Sequence, residues 1–196
     1  MRACEERHIH REVIPSMKAN FHSALVVAWH KGFDDPHGAY ITPGDPGGET
    51  NGAVILTTWN DAVARGIVSG DLRNATNQQL EDVLHGLFWG DFCDALPGGL
   101  DVAYFLALMA SGETPRLFQQ AVGAVVDGRA GQMTIKAAWA CDHARACYVM
   151  FALHHAYLST LPNWPVDKNG WTTRLIATLQ AALALCNPAP AGAAGS

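Results

Sequence analysis

The sequence predicts a mainly α fold interrupted once by a short irregular β-hairpin, and three observations carry that expectation. Apolar residues recur at helical spacing in eight separate stretches between Ile14 and Leu185. Gly, Pro or Asn breaks the chain between stretches, and no repeat at solenoid periods is visible. One segment, Asp34 to Asn51, is so dense in Gly, Pro and Asp that it reads as turns around a hairpin. A chain of 196 residues that is 49% hydrophobic and 16% charged suits one compact unit with a real core.

Taken in order, Ile14, Met17, Phe21, Leu25 and Val26 share one helical face, so the first helix runs from Ile14 to His30 and leaves Lys31 at its C-terminus. After the hairpin segment, "AVILTTW" either starts a strand or runs into a helix. Helices are then expected over Trp59 to Val68, Gln78 to Phe92, Leu100 to Ala110 and Pro115 to Val125. The loop "DGRAGQMT" leads into another helix through Trp139. Cys141 to Leu161 forms a longer helix stopped by "LPNWP", and Trp171 to Leu185 forms the last. The tail "NPAPAGAAGS" has no apolar period and is expected to fray.

Composition removes several function classes. A net charge of -5 offers no basic face for nucleic acid. Apolar runs such as Ile176 to Cys186 are too short to span a membrane, and the charged start "MRACEERHIHREVIPSMK" lacks the apolar core of a signal peptide, so synthesis in the cytoplasm is expected. Five cysteines without CxxC spacing suggest neither a disulfide framework nor a zinc site, and they read as reduced, mostly buried thiols. His8, His10, His154 and His155 have no ligand partners at a recognised spacing, so no metal and no cofactor is expected.

Five motifs then occur in a telling order: "DPGGETN" at Asp45 to Asn51, "FW" at Phe88 and Trp89, "LPGGLD" at Leu96 to Asp101, "DGRAGQMT" at Asp127 to Thr134, and "LPNWPVDKNGWTTR" at Leu161 to Arg174. Together they resemble glycoside hydrolase family 108, the muramidase-like phage and prophage lysozymes, over about residues 18 to 185. The resemblance implies a lysozyme-like helical region over 14–100, a peptidoglycan-binding-like helical region packed on it over 101–186, and a flexible tail over 187–196. It also implies a catalytic Glu in a His-Glu-Gly-Gly-like stretch ending the first helix. Here that stretch is "HKGF", and Lys31 takes the Glu position.

Glycoside cleavage needs a carboxylic acid to protonate the leaving oxygen beside an oxocarbenium-like transition state. A positioned general acid is worth ~10²–10⁴ in rate. An ammonium about 4 Å from developing positive charge adds repulsion on the order of 4 kcal/mol at an effective dielectric near 20. Two further departures fall near the same place. The family continues Asn-Tyr-Gly-Ile where this chain has Asn51-Gly52-Ala53-Val54, and "FLALMASG" puts Leu106 and Ala110 at the usual Asp and Asn. Loss concentrated around a cleft is the pattern expected of a natural pseudoenzyme.

The resemblance places Asp45 and Thr50 where related enzymes hold the attacking water, although turn chemistry alone accounts for Asp45 before Pro46 and for Thr50. Asp34, Asp35 and Glu49 are the other nearby carboxylates. Tyr40 is the expected sugar contact, with Glu49 and Asn51 beside it, whereas the register of Trp29 with Leu25 and Val26 points it into the core. "GWTTR" either docks on glycan or closes a helix packing. The expected partner is peptidoglycan or another protein, reached by release to the periplasm or on a phage particle. The competing expectation is an active N-acetylmuramidase carrying an inactivating substitution at Lys31.

Overall fold

The computed structural model describes residues 14–29, 38–41 and 48–186, with side chains from Asn20 onward. Lys31 and Asp45, with Phe33, Asp34 and Asp35, lie outside the described residues. The elements are helix α1 (Ile14–Val27), strands β1 (Tyr40–Ile41), β2 (Glu49–Asn51) and β3 (Val54–Ile55), and helices α2 (Leu56–Ala64), α3 (Asn77–Leu84), α4 (Gly90–Asp94), α5 (Leu100–Ala110), α6 (Thr114–Val122), α7 (Gln132–Ala140), α8 (His143–Leu158) and α9 (Trp164–Cys186). The mainly α expectation with a small hairpin therefore holds. "AVILTTW" does both things allowed to it, since β3 passes directly into α2.

The strands form one antiparallel sheet in the order β1-β2-β3, with Tyr40 opposite Thr50 and Asn51 opposite Val54. A two-residue turn, Gly52-Ala53, joins β2 to β3 with φ of 53° and 65°. Both values are positive, as a tight turn matched to strand twist requires. Ala53 is the one non-glycine residue in that region among the described residues. The indole Nε1 of Trp29 donates to Gly52 O at 3.0 Å, which pins the end of the first helix to this turn.

Helix α5 is the centre of the molecule. Every residue from Leu100 to Ala107 is buried, and α1, α6, α8 and α9 pack around it. A helix apolar all round can only be stable in such a position. Its single charge, Asp101, accepts from Asn20 Nδ2 at 2.7 Å, Gly99 N at 2.8 Å and Val102 N at 2.7 Å, so its carboxylate satisfies the start of the helix. Gly99 has φ of 89°, and a Cβ there would run into Ala182 O and Cys186 Sγ. "LPGGLD" is thereby a joint between the start of α5 and the end of α9.

"DGRAGQMT" is likewise organised from below. Gln119 on α6 is 1% exposed; its Oε1 accepts from Asp127 N at 3.1 Å and Gly128 N at 2.8 Å. Its Nε2 donates to Asp127 Oδ1 at 2.7 Å, Arg129 O at 3.2 Å and Thr134 Oγ1 at 3.3 Å. One buried amide holds the whole loop.

Three helices differ from expectation, the mildest being α2, which runs Leu56–Ala64 instead of Trp59 to Val68. The stretch from Gln78 to Phe92 is split by a π turn over His85–Trp89 before α4 begins, and it carries Trp89 into contact with Phe21 and Phe105. The last helix starts at Trp164 instead of Trp171. Pro165 falls in its first turn, where a missing N–H costs nothing, and Asn163 Nδ2 donates to Asp167 Oδ2 at 2.8 Å. "LPNWP" thus opens a helix as well as closing one.

Candidate functional site

Strand alternation sorts the candidates. Thr50 faces one side of β2 while Glu49 and Asn51 face the other. Thr50, whose Oγ1 donates to Val54 O at 3.3 Å, joins Tyr40 from the neighbouring strand at the rim of a groove of about 290 Å³. Ala103, Leu106, Ala107 and Ala110 form its floor, spaced as one face of α5. Its walls are Met150, Phe151 and His154 of α8 and Trp171, Arg174 and Thr178 of α9.

Glu49 and Asn51 lie away from this groove. Glu49 is 9% exposed and accepts from Arg73 Nε at 2.6 Å, beside a second depression near Trp59 and Asp71. Asn51 Nδ2 donates to Leu72 O at 3.3 Å, and its Oδ1 is buried without a protein partner. Both side chains tie the sheet to the Leu72–Asn74 turn. Trp59 is also core, 1% exposed, with Nε1 donating to Gly70 O at 3.1 Å.

The chemistry available in the groove is narrow. Among the described lining residues there is no carboxylate; the ionisable ones are Tyr40, Cys147, His154 and Arg174. Leu106 is 1% exposed and Ala110 sits a turn further on, so the floor is aliphatic where the family resemblance implies Asp and Asn. His154 is 3% exposed, its Nε2 is buried without a protein partner, and burial lowers its pKa to about 4. It is a neutral imidazole near neutral pH. Among the described residues, no three His, Cys, Asp or Glu side chains gather as a metal site would need.

Sequence reasoning placed Tyr40 and Thr50 near a cleft and named "GWTTR" as a possible glycan contact; Trp171 and Arg174 of that motif do line the groove. It missed the α8 wall. The signal was present in the spacing of Cys147, Met150, Phe151, His154 and Leu158, which is that of one helical face.

Residues 37–112 match the family model described as glycosyl hydrolase 108. That stretch contains the sheet, Thr50 and the whole of α5, and it begins after Lys31. No curated protein matches the chain. Among solved structures, that of SagA from Brucella abortus matches with a TM-score of 0.71 and 24% identity, covering 89% of this chain and 95% of that one. No helix among the described residues is long and apolar enough to cross a membrane. The resemblance read from the motifs is thereby supported over residues 37–112, which match the glycosyl hydrolase 108 model and contain three of the five motifs, and the chain carries a mainly helical, lysozyme-like fold.

Proposed function

We propose that this protein is a catalytically impaired, muramidase-type lysozyme relative of phage or prophage origin that holds a peptidoglycan strand in its groove without cleaving it. The observation that carries the reading is the absence of any carboxylate among the described groove residues, together with the aliphatic floor at Leu106 and Ala110. Lys31, at the position of the family's acid, extends the same pattern. What the groove retains suits binding: the aromatic faces of Tyr40 and Trp171, the guanidinium of Arg174, and the hydroxyls of Thr50 and Thr178. Thr50 serves the hairpin in this reading and adds a hydroxyl to the rim.

The test pairs a binding assay with a turnover assay. Soluble muropeptides should bind by calorimetry, and Trp171→Ala should weaken them at least tenfold. Dye release from labelled peptidoglycan should stay at background. Lys31→Glu should recover little of the ~10²–10⁴ expected from a positioned acid, because Leu106 and Ala110 offer no polar group to orient it. Full activity in that single revertant would make the chain a muramidase with one inactivating substitution. Wild-type lysis abolished by Asp45→Asn would place the acid there instead. The net charge of -5 favours a second reading, a protein partner in the same groove, because anionic walls attract basic proteins. Muropeptides that fail to bind at any concentration would select it.

A further inference from the structure

Two thiols meet beneath the groove. Cys147, in the second turn of α8, and Cys186, the last residue of α9, have their Sγ atoms 3.6 Å apart. A disulfide needs about 2.0 Å. The remaining gap lies at the final turn of a helix, where the backbone adjusts most easily. The same turn is seated on Gly98 and Gly99: Cys186 Sγ lies 3.6 Å from Gly98 O, and the missing Cβ of Gly99 makes room for it.

We propose that Cys147 and Cys186 are a dithiol pair that closes to a disulfide on exchange with a low-molecular-weight disulfide such as oxidised glutathione, clamping the end of α9 to α8 under the groove. The two thiols are unequal in the way exchange requires. Cys186 is partly exposed and Cys147 is 2% exposed, so an external disulfide reaches Cys186 first. The hydrogen bond between them holds the Cys147 thiol's pKa up, with burial acting in the same direction, and brings that of Cys186 down. In the first step the Cys186 thiolate attacks one sulfur of the glutathione disulfide and a glutathione thiolate leaves. In the second, Cys147 loses its proton to solvent and attacks the Cys186 sulfur, releasing the second glutathione thiolate. Two protein thiols are oxidised and one small disulfide is reduced to two thiols.

The other described cysteines are engaged elsewhere. Cys141 Sγ donates to Ala138 O at 3.2 Å, and Cys93 Sγ lies 3.8 Å from Phe88 O. Because Cys147 lines the groove and α8 and α9 form its walls, the clamp stiffens the site that the glycan reading uses. Its chemistry does not depend on that reading.

The experiment incubates the full chain with oxidised glutathione, then counts thiols in denaturant and maps peptides by mass spectrometry. Titratable thiols should fall from five to three, with a peptide linking Cys147 to Cys186. Closing a loop of this length should raise Tm by roughly 10 °C. Cys147→Ser and Cys186→Ser should each show neither the link nor the rise, while Cys141→Ser keeps both. If a serine variant folds poorly, the linked peptide in the wild-type chain still decides the matter. Five surviving thiols, a stable glutathione adduct on Cys186, or a link through Cys141 would each overturn the proposal.

Discussion

His154 and Asp101 are both buried, both titrate below neutrality, and pull stability in opposite directions as pH falls. His154 has its pKa lowered to about 4 by burial, against an ordinary value of 6.5. Between these two values the unfolded chain binds a proton that the folded chain refuses, so stability is lost as pH drops. Asp101 has its pKa raised from 3.8 to about 6, with burial outweighing its hydrogen bonds from Asn20, Val102 and Gly99. There the folded chain binds the extra proton, so stability is gained as pH drops through about 6. From about pH 7 to about pH 5, His154 should remove on the order of 2 kcal/mol and Asp101 should return about 1 kcal/mol. The assay is urea unfolding of wild type, His154→Leu and Asp101→Asn at both pH values. His154→Leu should become more stable on acidification relative to wild type by about 2 kcal/mol, and Asp101→Asn should become less stable by about 1 kcal/mol. Variants whose pH dependence matches wild type within a few tenths of a kcal/mol would refute the burial argument.

Three stability predictions follow from backbone and hydrogen-bond geometry. Ala53→Gly should stabilise by about 1 kcal/mol in chemical denaturation, because an alanine Cβ is strained at the positive φ of that turn. Gly99→Ala should destabilise by ~3 kcal/mol or more, or prevent folding, since its Cβ has no space against α9; a thermal melt within 2 °C of wild type would contradict this close approach. Gln119→Leu should cost roughly 1–2 kcal/mol by removing the partner of Gly128 N, while Asp127 N keeps Val125 O at 3.2 Å, and amide exchange should speed up selectively over residues 127–134.

What the sequence alone determined is what local spacing encodes. Helix α5 is found where its spacing predicts, from Leu100 to Ala110, because a Pro-Gly-Gly start and a Ser-Gly stop bracket a run that is apolar but for Asp101. The ordered motifs at 45–51, 88–89 and 96–101 pointed to the family whose model matches residues 37–112, without a contact map. Local signals failed where a residue's effect depends on its position within an element: Pro165 stops helices in general but sits comfortably in the first turn of α9. Alternation separates Thr50 from Glu49 and Asn51, yet which side of β2 meets a groove depends on α5, α8 and α9, fifty or more residues away. Tertiary packing also decided that the groove floor is aliphatic, that His154 loses its charge to burial, and that Cys147 meets Cys186 across 39 positions of chain. Helical periodicity says which face is buried; only the assembled core says against what, and both pKa values and thiol contact depend on that partner.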